Sequence, residues 1–175
     1  MKKGFTMIEL IFVIVILGIL ASVAIPRLAA TKEDAEISAT VANLRTLVSD
    51  ASAYYTAKGE FPSTTKWSEI TNVPLKNATA TVTTNDTNGA NLKVGGKDCI
   101  GVKLVNKDGA KPAHIVFTKD GTNSNSGVCK EVVNSAPVKA YIDSKVTHPA
   151  SSGSGTTDIS NAIVVGSSTS VYTTK

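Results

Sequence analysis

Residues 1–26 read MKKGFTMIELIFVIVILGILASVAIP, and their reading decides the fold. Two lysines and a glycine lead into an apolar run that carries one charge, Glu9. Phe5 to Pro26 is 22 residues. As a helix this is roughly 33 Å, about the thickness of a bilayer's hydrocarbon core. Such a segment either spans a membrane or packs as a buried helix. A carboxylate near one end of a spanning helix is costly when unpaired, so Glu9 calls for a partner.

The order Gly4, Phe5, Thr6, Glu9, followed by a long apolar helix, resembles the prepilin leader of type IV pilins and type II secretion pseudopilins. The resemblance implies cleavage after Gly4 by a prepilin peptidase, which then methylates the new amine of Phe5. It also implies that Glu9 meets the N-terminal amine of a neighbouring subunit during assembly. The physics agrees, because the cut leaves a cation at Phe5 and an opposite charge lowers the cost of burying both. The partners so implied are copies of this chain and related pilins in a helical filament, the peptidase and methylase, and an inner-membrane assembly platform. The implied location is the inner membrane, single-pass with a cytoplasmic N-terminus, and after assembly a surface or periplasm-spanning filament. The resemblance covers about residues 1–59 and fades beyond them, so it names a class of machine and leaves pilus and secretion pseudopilus both open.

Rival readings of the first segment exist. A secretory signal would have a basic start, an apolar core and a cut near Ser22-Val23-Ala24. Glu9, the length of the apolar run and Pro26 just beyond that cut stand against it. A plain single-pass anchor that never polymerises, carrying a binding domain, is the reading from a different class. Charge sets orientation weakly, since Lys2 and Lys3 precede the span while Arg27 and Lys32 follow it. Gly18 and Ser22 form a small-xxx-small pair that lets helices approach closely, although glycine is also simply common in such helices. Pro26 removes one helical hydrogen bond and crowds the Ser22 carbonyl, so the helix is weakest from Gly18 to Pro26 and is expected to kink there.

The chain has 175 residues, enough for one globular domain beside the apolar segment. Removing Lys2 and Lys3 with a leader leaves 16 basic against 14 acidic residues, too near balance to indicate nucleic acid as a partner. Cys99 and Cys129 are the two cysteines. An even number in an extracytoplasmic domain favours a disulfide, with two separate buried thiols as the alternative. A bridge would close a loop worth roughly 3–4 kcal/mol in the chain-entropy account.

Beyond Arg27, the residues Ile37, Val41, Leu44, Val48, Ala51 and Tyr55 recur at intervals of four and three, one stripe along a helix, widened by Leu47 and Tyr54. Glu36, Thr40, Asn43, Ser49 and Lys58 occupy the opposite face. Gly59 is a C-terminal stop and Phe61-Pro62 cannot readily continue the helix. A stripe on one side needs a cover, which the remaining chain supplies. Strands are expected at Thr79 to Thr84, Leu92 to Val94, Cys99 to Val105, Ala113 to Thr118 and Val128 to Val133, then Ile159 to Val165 and Ser170 to Tyr172. Asn106 to Gly109 reads as a turn, Val138 to Val146 as a short helix or irregular segment, and His148 to Thr157 as a Ser/Gly-rich loop. The expected fold is α+β and type IV pilin-like: a leader at 1–4, an apolar assembly half-helix at 5–26, an amphipathic half-helix at 27–58 and a β-rich head at 59–175. The second half of the helix lies on an antiparallel sheet.

No enzyme, cofactor or metal is indicated. His114 and His148 have no local nucleophile or acid and read as surface or strand-edge residues. Asp86 to Gly89 and Asp120 to Asn125 carry oxygen ligands in a weakly calcium-like order, but Asp-Gly and Asn-Gly pairs are ordinary turn chemistry. Trp67 reads as a surface aromatic packed against the top of the helix. The expected site residues are thus Gly4 and Phe5 for processing, Phe5 for methylation, Glu9, Gly18 and Pro26 for assembly, and Cys99 with Cys129 as a disulfide.

Overall fold

The structure is a computed structural model that describes residues 6–61, 66–76, 89–119, 123–125, 127–150, 156–166 and 172–173. The chain divides into two compact units, Met1–Ala35 and Glu36–Lys175. One helix, α1 (Met7–Lys58), contributes residues to both and holds Pro26 inside it. It ends where expected: Gly59 has φ 79° and its N–H donates to the Tyr55 carbonyl at 2.7 Å. That left-handed turn after a helix suits glycine, which has no Cβ to clash.

In the second unit a short helix α2 (Trp67–Ile70) precedes the strands β1 (Leu75–Lys76), β2 (Ala90–Val94), β3 (Lys97–Val105) and β4 (His114–Lys119). Helices α3 (Gly127–Asn134) and α4 (Ala136–Ile142) follow, then β5 (Lys145–Pro149), β6 (Thr156–Ser160), β7 (Ala162–Val164) and β8 (Tyr172–Thr173). They form a five-stranded sheet ordered β1-β2-β3-β4-β7 and a three-stranded sheet ordered β6-β5-β8, with every pairing antiparallel. The β3–β4 hairpin anticipated from Ile100, Val102, Leu104 and Ile115, Phe117 is present, pairing Val102 with Phe117 and Leu104 with Ile115. Those side chains share one sheet face and are buried with Leu44, Leu47 and Ala51 of α1. Period-two burial on the sheet and helical spacing on α1 thus meet in one core.

Several expectations are corrected. Thr40 is buried, and its hydroxyl donates to the Glu36 carbonyl at 2.7 Å. This back-bond satisfies the hydroxyl inside the helix, so the buried stripe runs Thr40, Leu44, Leu47, Ala51 with Ile37, Val41, Val48 and Tyr55 at its margins. Val128 to Val133 is helix and not strand. Cys129 and Val133 bury four residues apart, as Val128 and Val132 pack inward four apart, and the adjacent charges Lys130 and Glu131 face solvent. That is helical periodicity in β-branched residues. Ile159 to Val165 is interrupted at Asn161, φ 59°, which separates β6 from β7. His148 lies in β5 and not in a loop, with Val146 and His148 inward and Lys145 and Pro149 exposed. Trp67 is buried, as are both histidines. Thr79 to Thr84 lies outside the described residues, as do most of the two calcium-like loops; Asn123 to Asn125 forms a turn.

The bridge between Cys99 and Cys129 is formed, with Cα atoms 5.4 Å apart. β2 and β3 shift register between Leu92 and Lys93: Leu92 faces Ile100 and Lys93 faces Asp98, so Cys99 is the extra residue of a bulge. The bulge lets Cys99 and Ile100, neighbours in sequence, both bury. It thereby aims the sulfur at α3.

Candidate assembly site on the N-terminal helix

The first turn of α1 is closed by its own side chains. Thr6 precedes the helix, and its backbone N–H donates to Glu9 Oε2 at 2.8 Å. In return the Glu9 N–H donates to Thr6 Oγ1 at 3.4 Å. This reciprocal pair is a capping box, which satisfies two amides that a helix start otherwise leaves open. The Thr6 hydroxyl also donates to Glu9 Oε2 at 2.6 Å. All the bonds to the carboxylate among the described residues therefore fall on Oε2, leaving Oε1 open. Sequence reasoning used Glu9 as a lone charge and passed over the T-x-x-E spacing of Thr6 and Glu9 that announces the cap.

From Met7 to Leu28 the helix is apolar on all sides and exposed, with Ile8 at 75%, Phe12 at 66% and Leu28 at 74%. It is long and apolar enough to cross a membrane, with a mean hydropathy of 2.9 in its most apolar window. A helix apolar all round needs an apolar environment on every side. Gly18 sits in open space, with no atom within 4 Å of where a Cβ would lie. The Ser22 hydroxyl donates to the Ile19 carbonyl at 2.8 Å, so it is satisfied within its own helix. Pro26 has no N–H to offer the Ser22 carbonyl. Glu9, Gly18, Ser22 and Pro26 are thus placed along one exposed helix, while Gly4 and Phe5 lie outside the described residues.

Among the described residues of the head, no three side chains of the His, Cys, Asp or Glu types gather as a metal would need. A cleft of about 330 Å³ beside Tyr55, Lys107, Pro112 and Val165 contains no histidine, acid or cysteine. Lys76 pairs with Asp98 at the edge of the sheet, next to the bulge.

Residues 1–25 match the family described as the prokaryotic N-terminal methylation motif. The type II secretion system core protein G of Pectobacterium carotovorum subsp. carotovorum is 40% identical over 63 residues, which are 36% of this chain and 40% of that protein. The fimbrial protein of Neisseria meningitidis serogroup A is 33% identical over 108 residues, 55% of this chain and 63% of its own. The type IV major pilin protein PilE of Neisseria gonorrhoeae is 32% identical over 108 residues, 55% of this chain and 64% of its own. This chain therefore spans about two fifths of the secretion protein and just under two thirds of the pilins. No solved structure matches it. Motif and relatives agree: the chain carries the prokaryotic N-terminal methylation motif and is similar to type IV pilins and to type II secretion system core protein G.

Proposed function

We propose that this protein is a structural subunit of a type IV-like filament, with a mechanical role and no catalysis. The observation that carries the reading is the exposed apolar helix with one carboxylate near its start, whose Oε2 is held by Thr6 and whose Oε1 has no partner among the described residues. Before assembly a bilayer covers the helix, with the N-terminus cytoplasmic and the disulfide-bonded head on the far side. A prepilin peptidase cuts between Gly4 and Phe5 and the new amine is methylated. Neighbouring helices of this chain and related pilins then replace lipid, drawn from the membrane at an inner-membrane assembly platform. The open oxygen of Glu9 receives the amine of a neighbour's Phe5, so neither charge is buried alone. Gly18 supplies close approach, and the stretch up to Pro26 supplies compliance. The 1–4, 5–26, 27–58 and 59–175 divisions are the leader, the assembly half, the amphipathic half and the head in this scheme. Pilus and secretion pseudopilus are both compatible with the relatives: similarity to core protein G is the higher in identity, and similarity to the pilins reaches further along the chain.

The test is intact-mass measurement on protein from its native membrane, alongside the sheared filament fraction. The expected species begins at Phe5 with a methylated amine and is present in both. An intact Met1, or a start at Ile25, overturns the reading.

A further inference from the structure

The two sheets of the head meet in a small second core, separate from the main one. Val146 of β5 buries there with Ala162 and Val164 of β7, and Val116 and Ile159 pack at its edge. Both histidines lie at this seam. His114 opens β4 in register with Val164, and His148 follows Val146 on the inward face of β5. Each is 4% exposed.

Their hydrogen bonds place one ring proton on each. His114 Nδ1 lies 2.7 Å from the Pro112 carbonyl, and His148 Nδ1 lies 2.8 Å from the carbonyl of Pro149. A carbonyl only accepts, so each Nδ1 carries a proton, and in the neutral tautomer the lone pair is on Nε2. His148 Nε2 is buried with no hydrogen-bond partner among the described residues. A second proton on His114 would place a buried charge in this seam, in register with Val164 and near the second imidazole.

Among the described residues no carboxylate is buried at the seam. Lys111, ahead of β4, adds positive potential at His114. Lys103 of β3 is half-buried on the strand next to β4, and Lys119 at the far end of β4 is exposed. On β5, Lys145 is exposed. On β6, Asp158 is exposed and accepts from the Thr147 hydroxyl at 2.7 Å. β7 carries no charge, and α4, which packs on β4 and β7, brings Lys139 and the exposed Asp143.

The geometry points to an acid-sensitive seam: protonation of His114 loosens β5 and β6 from the five-stranded sheet while the main core stays folded. The direction is consistent with burial, which holds the His114 pKa below its ordinary 6.5, the Lys111 charge adding to that effect and the bond to Pro112 opposing it. With the folded value depressed, the stabilisation is complete above about pH 6.5 and is lost as pH falls from there through the folded value.

The experiment is hydrogen exchange on the full-length chain in detergent at about pH 7.5 and about pH 5.5, corrected for intrinsic exchange rates. The expected result is a loss of protection of up to about tenfold across Lys145–His148 and Thr156–Ser160, the most that a group of ordinary pKa about 6.5 supplies one unit below it. Ile100, Val102 and Leu104 keep theirs. Replacing His114, H114Q, should remove the pH dependence. Should that variant not fold, NMR titration of the wild-type His114 ring decides, and its protonation is expected in step with the loss of β5 protection. Unchanged protection at the lower pH, equal loss in both sheets, or His114 protonating with β5 protection intact each overturns the proposal.

Discussion

Cys99 and Cys129 are joined at a Cα separation of 5.4 Å, and Cys99 reaches its partner only because it is the extra residue of a bulge in β3. In a regular strand Cys99 would point away from Ile100, whose side chain is in the main core. The bulge turns both inward, and the bond then fastens the sheet to α3 across 30 residues of chain.

Replacing both cysteines with serine should therefore destabilise the head by about 2–5 kcal/mol, the usual cost of removing a native disulfide from a small secreted domain. Denaturant unfolding of the full-length chain, followed through the buried Trp67, would show a lower midpoint. Under non-reducing digestion the wild type should yield one linked peptide pair containing Cys99 and Cys129. Free thiols at both positions in native material would reject the bond.

The second half of α1 belongs to the head's core, and Leu44 is fully buried there. Leu44→Ala should cost about 2–5 kcal/mol, since the cavity it leaves is walled by helix and sheet together. The neighbouring Arg45 is exposed, and Arg45→Ala should change stability by no more than about 0.5 kcal/mol. Equal effects from the two would mean that this stretch of helix is not a core element.

Much of this was legible in the sequence, and where it was not the reasons are physical. The long helix, its stop at Gly59 and the β3–β4 hairpin announced themselves because apolar spacing and turn residues agreed over many positions. The end of the chain did not. Val128 to Val133 is rich in residues that favour strands, yet its burial repeats every three to four residues, and packing against the sheet prevailed over propensity. His148 sits among serines and glycines, and nothing local reveals that it will be buried in a strand; only the Val146-x-His148 alternation hints at it. At the assembly helix Glu9 stood out as a charge among apolar residues, while the capping role of Thr6 three residues before it did not.

Asn161 holds φ 59° between β6 and β7, and its carbonyl accepts from Phe117 N–H at 2.8 Å. Asparagine tolerates the left-handed region better than most residues, and a β-branched side chain tolerates it poorly. Asn161→Gly should be close to neutral, whereas Asn161→Val should cost about 1–2 kcal/mol. Thermal unfolding of the two variants side by side would check this, and equal stability would mean that the backbone relaxes out of the left-handed turn.

Glu9 separates a filament subunit from a plain anchor, because the two readings predict opposite outcomes for one substitution. In an anchor the carboxylate is a liability, and replacing it with alanine should ease insertion. In a filament it is the partner of a neighbour's Phe5 amine, and its removal leaves that cation unpaired in an apolar bundle. Glu9→Ala should therefore express, insert and be cleaved like wild type, since Gly4 and Phe5 are untouched, yet assemble poorly. Glu9→Gln keeps the size and the capping oxygen but not the charge, so it should assemble poorly too. Thr6→Val tests the local alternative. It removes the hydroxyl bond to Oε2 and the acceptor for the Glu9 N–H but keeps both the Thr6 N–H bond and the carboxylate. If Glu9 acts across subunits, Thr6→Val filaments should remain abundant; if it matters only as a helix cap, Thr6→Val should fail much as Glu9→Ala does. The measurement is the ratio of sheared filament to membrane-pool protein for all three variants. Unchanged assembly in both Glu9 variants would leave the carboxylate without a structural partner and would turn the proposal back to a membrane-tethered head.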